Sequence, residues 1–101
     1  MEPKVKREYW DNGNIRREDW TLPNGKYHRE DGPAMILYYE NGNKEREQWS
    51  NNDKCHREYK PAQTWYNKDG SIALVRYWIN GKEDWKITRL PDTKIKRALY
   101  S

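Results

Sequence analysis

Two stretches of this chain are near copies of one another, and that repetition constrains the fold more than any single residue. Tyr9-Trp10-Asp11-Asn12-Gly13-Asn14 returns as Tyr38-Tyr39-Glu40-Asn41-Gly42-Asn43, and Asp19-Trp20 returns as Gln48-Trp49, at an offset of 29 residues. His28-Arg29-Glu30 with Pro33-Ala34 returns as His56-Arg57-Glu58 with Pro61-Ala62, at an offset of 28. A weaker third copy runs from Tyr66 through Asp69-Gly70 and Tyr77 to Asn80-Gly81-Lys82. A period in this range marks architectures in which each unit buries its apolar face against the next. Such a chain presents a surface more readily than it encloses a catalytic pocket. The 101 residues read as a single β-repeat domain, 1–101, with units at 9–37, 38–65 and 66–90.

Turn signals punctuate the chain at Asn12-Gly13, Asn24-Gly25, Asp31-Gly32-Pro33, Asn41-Gly42, Asn52-Asp53, Asp69-Gly70 and Asn80-Gly81. Asn-Gly and Asp-Gly accept the positive φ that tight hairpin turns require. The runs between them are rich in Tyr, Trp, Val, Ile and Thr and predict strands at 4–11, 14–21, 26–30, 34–40, 43–50, 54–59, 62–67, 71–79 and 82–89. Nine such strands make an all-β antiparallel hairpin meander, about 40 Å wide at ~4.8 Å per strand. Ala34-Met35-Ile36-Leu37 is apolar on both faces and predicts the most covered strand; Ile72-Ala73-Leu74-Val75 reads the same way. Ile15–Asp19 and Lys44–Gln48 carry charge on both faces. They need water on both sides or charges paired across strands, which favours a largely single-layer open sheet. Asp92 is an N-cap for a short C-terminal helix over 92–100, with Ile95, Ala98 and Leu99 on one face.

Composition supports a thin sheet. Charged residues are 36% and apolar residues 34%, and all the aromatics are Trp or Tyr, which tolerate half-wet positions. The net charge of +4 lies entirely at the C-terminal end. Residues 1–85 hold 15 basic and 15 acidic side chains, whereas 86–101 hold five basic residues against Asp92. A domain-wide basic stripe for nucleic acid is therefore absent. Cys55 is the only cysteine, so no intrachain disulfide forms. No apolar leader or run of about 20 apolar residues is present, so a cytoplasmic protein without a membrane partner is expected.

The phrase Asn24-Gly25-Lys26-Tyr27-His28-Arg29-Glu30-Asp31-Gly32-Pro33-Ala34, with Tyr38-Tyr39-Glu40-Asn41-Gly42-Asn43, resembles the MORN-like repeat variants. These occur in giant viruses and phages and in bacterial proteins labelled antitoxin-like. The resemblance covers residues 8–85. It implies a run of β-hairpins acting as a scaffold or protein-binding surface. It also suggests a viral or phage inhibitor of a host defence protein or nuclease, working in the host cytoplasm. Most repeat glycines of the better-known MORN pattern are missing, so that group's lipid associations do not carry over.

His28 and His56 occupy matching positions, each followed by Arg-Glu. An acid–base pair or a metal site is one reading; a polar ladder repeated with the unit is the other. Metal binding needs three or four convergent ligands, and Cys55 beside His56 points to the opposite face. No Ser-His-Asp arrangement, phosphate loop or zinc spacing occurs. No enzyme, metal or cofactor is expected. Trp20 and Trp49 share a repeat position, with Tyr77 in the third copy. By two-residue alternation Arg16 and Glu47 flank them. This row is either core or a recognition strip, and Trp, Tyr and Arg are the residues that dominate interface hot spots. The expected partner is another protein, the chain itself being a monomer or weak dimer. The alternative is RNA or DNA held by Lys94, Lys96 and Arg97 with aromatic stacking.

Overall fold

A computed structural model describes residues 2–84. Within them the chain is all-β and antiparallel. The strands are β1 (Lys4–Tyr9), β2 (Ile15–Thr21), β3 (Met35–Tyr38), β4 (Lys44–Gln48), β5 (Ser50–Asn51), β6 (Lys54–Cys55), β7 (Gln63–Tyr66), β8 (Ile72–Arg76), β9 (Trp78–Ile79) and β10 (Lys82–Glu83). Six form one sheet in the order β1-β2-β3-β4-β7-β8, and β5-β6 and β9-β10 form two separate ribbons.

The three sheet hairpins share one turn. Gly13, Gly42 and Gly70 sit at φ of 90°, 93° and 92°, a region costly for any residue with a Cβ. In each turn the side-chain oxygen of Asn12, Asn41 or Asp69 accepts the N–H two residues on, at 2.9 Å. The register slips once beside each turn, after Glu8, Leu37 and Trp65.

The expected nine-strand meander is corrected to six sheet strands among the described residues. Segments 26–30 and 54–59 do not join the sheet. Tyr27 makes only a bridge to Thr21, and Lys54–Cys55 pairs with Ser50–Asn51. Pro33 and Pro61 lack the N–H that a ladder position uses. The chain before each proline folds back over the end of the preceding strand: Trp20 N–H donates to Ala34 O and His28 N–H to Trp20 O, at 2.7 and 3.1 Å. Trp49, Ala62 and His56 repeat the arrangement at 2.7 and 3.1 Å.

β3 is a covered strand, as its composition implies, but β7 is covered as fully, with Gln63 7% and Thr64 8% exposed. Ala34, Met35 and Ile36 are 0%, 9% and 6% exposed. The parallel expectation for 72–75 is overturned: β8 lies at the edge of the sheet, with Ile72 61% and Leu74 45% exposed. The charged strands resolve by pairing. Arg7 meets Glu18 across β1 and β2, and Arg17 meets Asp19 along β2, both at 2.8 Å. The helix expected over 92–100 lies outside the described residues.

Candidate functional site

Successive units are joined by the same contacts at the same repeat positions. On the turn side, Asn12 and Asn14 side-chain amides donate to Glu40 O, and Asn41 and Asn43 amides donate to Lys68 O, at 2.7–2.9 Å. Trp10 Nε1 donates to Tyr38 O, and the Tyr39 hydroxyl donates to Tyr66 O. In mid-sheet the Tyr38 hydroxyl donates to Glu18 and the Tyr66 hydroxyl to Glu47. On the opposite, loop side, His28 Nδ1 accepts the backbone N–H of Asn52, and His56 Nδ1 accepts that of Asn80, at 3.3 and 3.1 Å.

The loop side is also where the aromatic row lies. The Arg29 guanidinium stacks on the Trp20 ring at 3.9 Å and that of Arg57 on Trp49 at 3.8 Å. Each guanidinium also donates to a proline carbonyl four residues on, Pro33 O or Pro61 O, at 3.3 Å. Gly32 makes room for this: a Cβ there would lie 2.6 Å from the Arg29 guanidinium carbon. Each stack of Arg on Trp holds a loop over the end of a strand.

Between successive loops of the described residues lie three concavities at equivalent places. The first runs from Glu2 and Pro3 to Trp20 and His28, with a volume of about 550 Å³. The second, about 440 Å³, lies between Arg29-Glu30 and Trp49-Ser50. The third, about 350 Å³, lies between Arg57-Glu58-Tyr59 and Tyr77-Trp78-Ile79. Acidic side chains stand at the mouths of the first two: Glu30 and Asp31 side chains are 88% and 91% exposed, and Glu58 is exposed. The third is lined by Tyr59, Tyr77, Trp78 and Ile79, with Arg57, Glu58 and Asp84 also on its wall. At its lip Tyr59 is 71% exposed and held at φ 64°, a conformation uncommon for an aromatic residue.

The residues singled out from sequence are distributed unevenly over this geometry. Trp20 and Trp49 share a position and a face, as expected, but both are half-buried under arginines. Tyr77 occupies the third equivalent position, is only 4% exposed, and forms part of the wall of the third concavity. Arg16 does not flank Trp20. It stands beside the register slip in β2, with its guanidinium 4.9 Å from the Trp10 ring. Glu47 takes the Tyr66 hydroxyl and lies 3.4 Å from Lys44 Nζ. Lys94, Lys96 and Arg97 lie outside the described residues. Sequence reasoning missed Arg29, Arg57 and Tyr59. The arginines were legible as the middle residue of each His-Arg-Glu copy; nothing in the sequence marks Tyr59 as the left-handed residue of its loop.

Burial raises the Glu18 carboxyl, but hydrogen bonds from Tyr38 and Arg7 outweigh it and leave the group below its ordinary range. Burial pushes up the Cys55 thiol, with Arg46 opposing, which disfavours the reactive thiolate. Among the described residues no three His, Cys, Asp or Glu side chains converge as a metal site, and no helix is long and apolar enough to cross a membrane. No family model, curated protein or solved structure matches this chain.

Proposed function

We propose that this chain is a small non-enzymatic protein-binding module that engages its partner along the loop side. The observation carrying this reading is Tyr59. An exposed aromatic ring in a left-handed backbone conformation costs about 1–3 kcal/mol and persists only where the surrounding structure holds it. It stands at the lip of the most apolar concavity of the row, next to Ile79, which is 43% exposed. An aromatic anchor beside a pocket is the usual centre of an interface hot spot. Glu30, Asp31 and Glu58 line the approach, so the partner surface that fits is basic with an apolar anchor. The acidic rim repels phosphate, which argues against RNA or DNA on this side. The specific version suggested by the repeat resemblance is a viral or phage inhibitor of a host defence protein or nuclease.

Tyr59→Asn tests the reading because Asn tolerates a left-handed backbone better than Tyr. Immobilised wild-type protein and the variant are challenged with host lysate, and thermal melts run beside the captures. The expected result is a partner retained by wild type and lost at least tenfold by Tyr59→Asn, with stability unchanged or higher. Equal retention by Tyr59→Asn and by Glu30→Lys/Glu58→Lys overturns it. Release of the captured material by nuclease supports the alternative, a nucleic-acid module led by Lys94, Lys96 and Arg97.

A further inference from the structure

The contacts between units have a direction, and the third unit breaks it. Forward-facing groups in the first two units are Trp10 or Tyr39, Asn12 or Asn41, Asn14 or Asn43, and Glu18 or Glu47. At the equivalent positions the third unit has Asn67, Asp69, Ser71 and Val75. Asn67 and Asp69 side chains turn inward to Ser71, at 3.0 and 2.5 Å, and make no forward donation among the described residues. A further unit of the same kind laid on β8 would find neither the amides for its turn carbonyl nor the carboxylate for its tyrosine. Head-to-tail growth of the stack is thus disfavoured at β8.

Among the described residues, what remains at β8 is a strand edge, and an unpaired edge is a template for another strand. The two ends of the sheet differ sharply here. β1 reads Lys4-Val5-Lys6-Arg7-Glu8-Tyr9, and pairing it with its own symmetry mate about either central residue sets Lys6 against Lys6 or Arg7 against Arg7 of the other copy. Like charges directly opposed are destabilising, and edge lysines are a common guard against such pairing. β8 reads Ile72-Ala73-Leu74-Val75-Arg76. Antiparallel pairing about Leu74 sets Leu74 against Leu74, Ala73 against Val75 and Ile72 against Arg76. No like charges meet. Arg76 is drawn away by Glu83, 3.9 Å distant, and by the Trp65 ring at 5.6 Å, leaving its aliphatic stem for Ile72. Ile72 and Leu74, at 61% and 45% exposed, would be covered from both sides.

We infer that two copies of this chain pair through β8 in an antiparallel, two-fold arrangement centred on Leu74, joining their two six-stranded sheets into one. A two-fold interface closes on itself, so the association stops at two. It leaves the loop-side row free on both copies and is independent of the partner-binding reading.

The test uses the full chain with Cys55→Ser, so that an introduced thiol is the only one. Opposed residues of an antiparallel pair have Cα atoms about 4.5–5.5 Å apart, within the span a disulfide bridges. Under mild oxidation Leu74→Cys should cross-link to twice the 12.4 kDa chain mass. Lys6→Cys on the opposite edge is the control and should not. By sedimentation, wild type should move from one copy to two as concentration rises, while Leu74→Lys stays at one copy with an unchanged melting temperature. The inference is overturned if wild type stays at one copy throughout, or if Leu74→Cys cross-links no faster than Lys6→Cys. A Leu74→Cys thiol shielded from maleimide in a one-copy protein has the same force, because the chain's own residues 85–101 then cover the edge.

Discussion

The Tyr38 hydroxyl of the second unit lies 2.5 Å from Glu18 Oε1 of the first, and Arg7 Nε holds the other carboxylate oxygen at 2.8 Å. Glu18 is 8% exposed and sits opposite Ile36 in the covered strand β3. A carboxylate enters this interior only because a hydroxyl and a guanidinium complete it. The hydroxyl comes from the next unit, so the same bond that solvates Glu18 also sets the register between units.

That bond makes stability depend on pH in both directions. Glu18 is held below its ordinary 4.5, so its contribution is present above that value and is lost as pH falls through the folded one. Burial, and then the bonds to Glu18 and Glu47, raise Tyr38 and Tyr66 above their ordinary 10. Their contribution is full below pH 10 and is lost as pH rises beyond it. Glu18→Gln should cost about 1–2 kcal/mol at neutral pH, since a charge-assisted bond is removed, and should flatten the acid side of the stability profile. Tyr38→Phe with Tyr66→Phe should flatten the alkaline side. Melting temperatures measured across the pH range decide; identical profiles for wild type and variants would refute the assignment.

Trp20→Ala and Trp49→Ala should each cost about 3 kcal/mol, the low end of the range for a core aromatic because both rings are half-buried. Each ring carries an arginine, at 3.9 and 3.8 Å, and anchors a loop through it. Thermal melts of the two variants should show large losses, and binding should fall only as the fold is lost. An unchanged melting temperature with partner binding abolished would instead make the rings direct contacts.

Turn chemistry made the hairpins legible from sequence: Asn12-Gly13, Asn41-Gly42 and Asp69-Gly70 allow little else. The pairing of Trp20 with Trp49 and Tyr77 was legible from the repeat offset. The edge position of β8 was not. Ile72–Val75 is as apolar as Met35–Leu37, and composition does not say whether a neighbouring strand exists to cover it. The sheet strands expected at 26–30 and 54–59 failed because strand propensity in Tyr27 and Tyr59 lost to Pro33, Pro61 and the pull of arginine onto tryptophan. Arg16 was misplaced because a register slip breaks the two-residue alternation between it and Trp20.

The two histidines accept hydrogen bonds from the backbone of the next unit. His28→Gln or His56→Gln keeps an acceptor within reach of the Asn52 or Asn80 N–H and should leave partner binding within about two-fold. His28→Ala removes the acceptor and should cost about 1 kcal/mol. Calorimetric melts and a binding titration on all three variants check this. Loss of activity in a folded Gln variant would show that the imidazole itself does chemistry.

Growth of the stack can be restored at its closed end. The first unit keeps the backward-facing groups that the later units use. Tyr9, the counterpart of Tyr38 and Tyr66, is 59% exposed, and the carbonyl of Asp11 corresponds to those of Glu40 and Lys68. Only the third unit lacks the forward set. Asp69→Asn, Ser71→Asn and Val75→Glu together restore two amides and the carboxylate, at positions that face solvent or the sheet edge. A restored third unit then matches the first unit of another copy, and a contact between unlike ends does not close. The triple variant should form oligomers beyond two copies whose size grows with concentration. Adding Tyr9→Phe should shorten them, because it removes the hydroxyl that the carboxylate introduced by Val75→Glu would accept. Light scattering against concentration reads this directly. A triple variant that keeps the wild-type mass at every concentration would mean that the repeated hydrogen bonds do not determine which units join.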